Sequence, residues 1–147
     1  MNEITVARPK YELASVGLHP AIVTEIIRVD DEEFGGEGLR FVFDLIDEQQ
    51  EDGYAKRVFR TTNLKLTPKS ALLDVITSIL GRQLNDQELH GFNVSQLRDL
   101  PVYIDIKREV CEPTGQPYAK IESIVHVPRG PAFLVENFQP GKIVLRL

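Results

Sequence analysis

The sequence contains few of the residues that would place it among disulfide-rich, zinc-binding or membrane-spanning proteins. Cys111 is the single cysteine in 147 residues, so an internal disulfide framework is impossible and a cysteine-rich zinc site is excluded. No stretch approaches the roughly 18 consecutive apolar residues that a membrane span needs, and the first residues show no basic-then-apolar signal pattern. We therefore expect a cytoplasmic protein that has no membrane partner.

Motifs of catalysis and of nucleotide binding are also missing. The chain has no G-x-S-x-G, H-E-x-x-H or P-loop motif, and residues 35–38 lack the context of a dinucleotide fingerprint. No histidine has a cysteine or carboxylate nearby at ligand spacing. The acidic residues 30–33 lack the alternating spacing and central glycine of a calcium loop, which favours a solvated turn. We predict a non-enzymatic protein with no cofactor and no metal.

Alternating apolar and polar residues are what the sequence does have, and this period of two is typical of strands. It predicts five strands, over residues 17–29, 39–46, 54–63, 101–110 and 118–127. Between the third and fourth strands the period changes. Apolar residues at helical spacing predict a helix over residues 68–80, with Thr67 as N-cap and Pro68 in the first turn. Asn85 and Glu88 resemble a capping box.

This order of elements indicates a fold class. Five short antiparallel strands with a helix between the third and fourth are the arrangement of the OB-fold, a Greek-key barrel that binds oligonucleotides or oligosaccharides. We predict a mainly β protein, a five-stranded OB-fold-like barrel over residues 1–128, followed by a tail over residues 129–147. An open α+β sheet is the alternative. Residues 143–147 have strand character, so the tail is a candidate for joining homo-oligomers.

Charges of opposite sign are segregated along the chain. The net charge is −5, which argues against an indiscriminately basic coat protein for nucleic acid. Residues 29–52 hold ten acidic side chains and one basic side chain, that of Arg40, whereas residues 54–82 hold six basic side chains and one acidic side chain. The basic segment includes the third predicted strand, which adjoins the aromatic residues of the second.

Single-stranded nucleic-acid sites combine cations that follow the phosphates with aromatic rings on which bases stack. Arg57 and Arg60 flank Phe59 on the third strand, which is this combination. The candidate nucleic-acid-binding residues are Arg40, Lys56, Arg57, Phe59, Arg60, Lys65, Lys69, Tyr103, Lys107 and Tyr118.

A second interpretation of the same residues remains open. The phenylalanines of the second and third strands can belong to the core while the cations solvate the outer surface. Tyr54, Tyr103 and Tyr118 are then better candidates for stacking, because Tyr103 and Lys107 are expected on the strand face opposite Val102.

Four segments together resemble a known family. They are L-x-x-V-G-L-H-P-A-x-V at residues 13–23, F-V-F-D-L at 41–45, T-P-K-S-x-L-L at 67–73, and L-x-D-L-P-V-Y-I-D-I with G-Q-P-Y-A-K-I within 97–121. The combination resembles small OB-fold single-stranded DNA-binding proteins encoded by phages and prophages. The resemblance implies a replication or recombination accessory whose partner is single-stranded DNA. The competing hypothesis is a protein interaction or assembly module without a nucleic-acid role.

Overall fold

The computed structural model describes residues 12–31 and 36–128, together with the backbone at residues 138–139 and 142–143. Five strands form one antiparallel sheet in the order β3-β2-β1-β4-β5. They are β1 (Gly17–Asp31), β2 (Gly36–Gln49), β3 (Ala55–Thr62), β4 (Pro101–Val110) and β5 (Pro117–His126). Between β3 and β4 lie helices α1 (Ala71–Leu80) and α2 (Asp86–His90) and a 3-10 turn (Val94–Leu97). The mainly β class, the five strands and the helical insertion are therefore confirmed.

β1 joins the two halves of the sheet. Residues 17–22 pair with β4, and residues 21–31 pair with β2. The register between β1 and β2 shifts between Val23 and Glu25, and such a bulge bends a strand and increases its local twist. The two halves of the sheet therefore lie on differently oriented parts of one curved surface.

The inner face of this curved sheet carries the hydrophobic core. Alternation places Phe41, Phe43 and Leu45 of β2 on this face, and each is at most 2 % exposed. Helix α1 packs against it through four buried residues, Leu72, Val75, Ile76 and Ile79. Because burying a phenylalanine side chain contributes roughly 1.5–3 kcal/mol, the aromatic residues of β2 serve the fold. We call the opposite face of the sheet the outer face.

Helix α1 begins three residues later than the sequence predicts. Its N-cap is Ser70, whose hydroxyl accepts a hydrogen bond from the Leu73 backbone N–H at 3.2 Å. The predicted N-cap, Thr67, is wrong, because its own N–H donates to the Ser70 hydroxyl at 3.3 Å and Pro68 lies in the intervening turn. Ser70 is the N-cap because its hydroxyl accepts a hydrogen bond from a backbone N–H of the first turn that has no partner within the helix.

The predicted capping box of α2 is confirmed. The side chain of Asn85 accepts from the Glu88 N–H at 2.8 Å, and the Glu88 carboxylate accepts from the Asn85 N–H at 3.0 Å. Arg82 donates to both carboxylate oxygens of Glu88, at 2.8 and 2.9 Å. The hydrogen bonds from Arg82 and Asn85 lower the pKa of Glu88 to about 2. These contacts fix the chain as it leaves α1.

The tail is described only at two short backbone pairings. Phe138–Gln139 (β6) pairs antiparallel with Lys142–Ile143 (β7). The predicted strand over residues 143–147 lies outside the described residues except at Ile143, and the acidic residues 32 and 33 also lie outside them. The division at residue 128 and the role of the tail in oligomers stay predictions. Within the described part of the chain, no helix is both long and apolar enough to cross a membrane.

Candidate nucleic-acid interface

Three of the predicted binding residues lie together on the outer face of β2 and β3. Arg40 adjoins the core residue Phe41, so its side chain points outward. Arg57 and Phe59 flank the core residue Val58 and therefore point outward as well. In the register of the two strands, Phe59 lies opposite Val42, one step from Arg40 along the same face. The structure thus brings two cations and one aromatic ring to a common surface.

Arg40 and Phe59 are in direct contact. The guanidinium carbon of Arg40 lies 5.9 Å from the centroid of the Phe59 ring, within the range of a cation–π interaction. Arg40 Nε also donates to the Thr61 hydroxyl at 3.3 Å, which holds the guanidinium over the ring. Phe59 is 39 % exposed, so part of its ring faces solvent beside a fixed cation.

An apolar residue extends this surface onto β1. Ile27 pairs with Arg40 across β1 and β2 and is 42 % exposed. Exposed Phe59 and Ile27 therefore border Arg40 on either side, on neighbouring strands. We call the residues Ile27, Arg40, Arg57 and Phe59 the outer patch.

Arg57 carries a charge that is already compensated in part. Its Nε lies 2.7 Å from Asp44 Oδ1, and the two residues are cross-strand partners. Both side chains are about a quarter exposed, at 24 % and 25 %. A phosphate at this position has to compete with the carboxylate of Asp44, so Arg40 is the stronger cation of the outer patch.

Lys56 and Arg60 do not join the outer patch, although they flank Arg57 and Phe59 in sequence. Their positions alternate with the outward ones, so both belong to the inner side of β3. Lys56 Nζ donates to the Leu13 carbonyl at 3.2 Å. Arg60 lies opposite Phe41, and its Nε is buried without a hydrogen-bond partner among the described residues. Lys56 and Arg60 therefore do not share a face of the sheet with Arg57.

Lys65 and Lys69, two further cations of the basic segment, lie in the connection from β3 to α1. Both side chains are exposed, and within the described residues neither forms an ion pair. Lys65 follows Thr62, which pairs with Leu39 near the start of β2. The connection therefore leaves the sheet at the end where β1 turns into β2, beyond Arg40.

Tyr103 lies on the predicted face of β4 but is not open to stacking. It points opposite Val102 and Ile104, as expected, yet it is only 5 % exposed. Val127 packs against it in a second, smaller cluster with Ile22 nearby. The expectation of an accessible ring is wrong because residues of neighbouring strands cover this part of the outer face. Burial also raises the pKa of Tyr103.

Lys107 and Tyr118 lie on β4 and β5, separated from β2 by β1 in the sheet. Lys107 Nζ is 3.2 Å from Glu122 Oε1. The Tyr118 hydroxyl donates to Glu109 at 3.0 Å, and this hydrogen bond raises the pKa of Tyr118. Tyr118 is 40 % exposed, but each of the two residues contacts an acidic side chain. They form a surface distinct from the outer patch.

Sequence reasoning missed a buried cluster around His19, because no cysteine or carboxylate lies near this histidine at ligand spacing along the chain. His19 Nδ1 lies 2.8 Å from Asp47 Oδ2, and the Asp47 side chain is 0 % exposed. Ala21 of β1 pairs with Leu45 of β2. Continuing this register by two residues places His19 opposite Asp47. Pairing register, rather than spacing along the chain, was the signal that could have revealed this pair.

Ser15 completes an arrangement of serine, histidine and aspartate, but its geometry does not suit a nucleophile. The Ser15 hydroxyl is 3.5 Å from His19 Nε2, whereas the Ser15 carbonyl is 2.7 Å from the same nitrogen. The hydroxyl instead donates to Glu48 Oε2 at 2.7 Å. A catalytic base has to accept the proton of the hydroxyl, and here Nε2 already faces a carbonyl acceptor.

The comparisons with known proteins add nothing to these structural observations. No protein-family model matches the sequence, and a search of curated proteins gives no match. In the described ranges, no group of three or more histidine, cysteine or acidic side chains is placed to hold a metal ion.

Proposed function

We propose that this protein binds single-stranded DNA across β2 and β3, as a non-enzymatic accessory of phage replication or recombination. The observation that carries the proposal is the outer patch, where Arg40 lies over a partly exposed Phe59. Such a pair offers a cation to a phosphate and an aromatic surface to a base. OB-folds bind oligonucleotides on the face formed by their second and third strands, which is where this patch lies.

The strand arrangement supports an OB-type barrel in this proposal. In the sheet, β1 is central and pairs with both β2 and β4, which leaves β3 and β5 as edge strands. Cα atoms of β3 and β5 approach within 8 Å of each other. Closing the sheet along this seam would give the five-stranded barrel that the order of elements predicts, with the core inside and the outer patch on its surface.

The distribution of charged side chains supports a small nucleic-acid site with few cations. Arg40 is the cation of the outer patch that has no carboxylate partner within the described residues, and Lys65 and Lys69 extend positive charge past the start of β2. Acidic residues compensate Arg57 and Lys107. A single DNA strand bound along this path would therefore contact few cations. We propose that stacking of bases on aromatic side chains contributes much of the affinity.

Binding of a labelled oligonucleotide to matched variants tests the proposal. Arg40→Gln should weaken binding and reduce the slope of log affinity against log salt by about 0.7, the value for one lost phosphate contact with a single strand. Lys107→Gln is the matched control, since Lys107 is exposed and lies outside the outer patch. Equal loss in both variants would contradict a site on β2 and β3.

A protein interaction module is the second candidate, and one observation favours it. Three of the predicted phosphate-binding cations already have partners, namely Lys56, Arg57 and Lys107. A surface with compensated charge and exposed apolar groups suits a protein partner better than a polyanion. Absence of binding of any oligonucleotide by the wild type would favour this candidate.

A further inference from the structure

Residues 12–16 precede β1 and are held in place by side chains from four strands; we call them the lead segment. Three consecutive carbonyl oxygens accept hydrogen bonds, each from a basic side chain of a different strand. The bonds are Lys56 Nζ to Leu13 O at 3.2 Å, Arg108 Nη2 to Ala14 O at 2.8 Å, and His19 Nε2 to Ser15 O at 2.7 Å. Ala14 between them is 0 % exposed. The lead segment is therefore docked into the end of the sheet.

The amide groups of the lead segment are also bound by side chains, this time from β2 and the turn after it. Ser15 donates to Glu48 twice, from its N–H at 2.9 Å and from its hydroxyl at 2.7 Å. The Glu12 N–H donates to Gln50 Oε1 at 2.8 Å. Ionisable side chains thus supply most of these bonds, so the docking depends on their protonation states.

His19 is the member of this set whose protonation changes near neutral pH. Its two ring nitrogens both lie within hydrogen-bond distance of oxygens that can only accept, the Asp47 carboxylate and the Ser15 carbonyl. A neutral imidazole has one N–H, whereas the imidazolium has two. Both contacts are therefore satisfied only when His19 carries a positive charge.

We propose that the lead segment is a proton-controlled clasp, closed when His19 is an imidazolium and released when His19 loses a proton. The carboxylate of Asp47 retains the Nδ1 proton because it is the stronger acceptor. Deprotonation then removes the proton from Nε2 and leaves its lone pair facing the Ser15 carbonyl oxygen. Repulsion between these two acceptors pushes the carbonyl away and frees the segment.

Charged groups from every neighbouring element bear on this switch. Asp47 and Glu48 of β2 favour the charged ring, while Lys56 of β3 and Arg108 of β4 bind the adjacent carbonyls. Burial alone lowers the pKa of His19. The hydrogen bonds to Asp47 and to the Ser15 carbonyl, with the nearby negative charges, outweigh burial, so the pKa lies above its ordinary value.

Gly17 provides a hinge for the release. It is the first residue of β1 and has a φ of 126°, a conformation that favours glycine. A Cβ at this position would meet nothing within 4 Å. Release of the lead segment would turn the chain at this residue, which pairs with Ile106 at one end of the β1–β4 register.

The test follows His19 and Ser15 together by NMR in the full chain. We expect the imidazole nitrogens of His19 to titrate above the ordinary value of about 6.5. At the same midpoint, the protection of the Ser15 amide against exchange should fall by about tenfold or more, the factor for losing one hydrogen bond to a charged group. Titration of His19 at or below the ordinary value, or its absence, would overturn the proposal.

Two variants separate the switch from general loosening of the protein. Asp47→Asn keeps the shape of the side chain but removes its charge, so both midpoints should move together to lower pH. His90→Gln changes an exposed histidine of α2 and should leave both midpoints unchanged. A Ser15 amide whose protection does not follow His19 in the wild type, or does not move with it in Asp47→Asn, would contradict the clasp.

Discussion

Arg40 lies over the ring of Phe59 on neighbouring strands, with 5.9 Å between the guanidinium carbon and the ring centroid. The pair is diagonal in the register of β2 and β3, a spacing that long and aromatic side chains can bridge. It gives the outer face a fixed cation beside an aromatic surface, and the proposed function depends on it.

Replacement of Phe59 should therefore cost affinity for single-stranded DNA without changing its salt dependence. We expect Phe59→Ala to lose roughly 1 to 3 kcal/mol of binding free energy, the usual cost of removing one stacked ring. Phe59→Leu keeps an apolar side chain but no ring, and should lose most of the same affinity. Full binding by the leucine variant would show that stacking is not the role of Phe59.

Tyr103 should behave as a core residue in unfolding experiments. Its hydroxyl is buried without a hydrogen-bond partner among the described residues, and burying such a group costs free energy. We expect Tyr103→Phe to raise the free energy of unfolding in urea by roughly 1 kcal/mol. Tyr118→Phe removes a hydroxyl that does bond to Glu109 and should not stabilise the protein. A destabilised Tyr103→Phe variant would mean that its hydroxyl has a partner.

Substitution of Gly81 and of Gly115 compares left-handed backbone strain with a steric clash and the same strain without a clash. Both have a positive φ, 72° and 69°. A Cβ at Gly81 would lie 2.5 Å from the His126 ring, whereas at Gly115 nothing lies within 4 Å. Gly115→Ala should cost up to roughly 1–2 kcal/mol of left-handed strain, and Gly81→Ala should cost clearly more. Equal losses in thermal unfolding would contradict the packing of α1 on β5.

The stability of the protein should depend on pH through His19 and Glu48. The pKa of His19 is raised in the folded state. Its contribution to the free energy of unfolding is therefore complete below about pH 6.5 and is lost as pH rises through the folded-state pKa. Burial raises the pKa of Glu48, but the hydrogen bonds from Ser15 and the charge of Lys56 lower it overall. The contribution of Glu48 is therefore present above about pH 4.3 and lost as pH falls through the folded value.

Urea unfolding of wild type and His19→Gln across this range measures the effect. The stability difference between the two proteins should be largest near pH 5 to 6.5 and should shrink as pH rises, because neutral His19 no longer supports both of its bonds. A difference that grows toward alkaline pH would contradict the assigned charge of His19.

Local patterns predicted most of the fold. Alternation located all five strands, and apolar spacing located α1, because burial on one face imposes a period that survives in the sequence. The start of α1 was misplaced because Thr67 and Ser70 are both suitable N-caps, and only their mutual hydrogen bond decides between them. The approach of β3 to β5, which closure into a barrel would require, is encoded by no local pattern.

The site was less predictable because its members come from different strands. Alternation could have separated Arg57 and Phe59 from Lys56 and Arg60, since neighbouring positions face opposite sides. It could not show that Val127 covers Tyr103 or that Asp44 compensates Arg57, since both contacts depend on strand register. The pairing of His19 with Asp47 escaped sequence analysis for the same reason.

Fluorescence anisotropy with a thirty-nucleotide single strand, about two or more site sizes of one OB-fold, tests the central claim most directly. The wild type should bind at low salt with an affinity that falls as salt increases, and Arg40→Gln and Phe59→Ala should each bind more weakly. The first variant should flatten the salt dependence, and the second should leave it unchanged. Absence of binding by the wild type at low salt would contradict the nucleic-acid function and leave the interaction module as the better account.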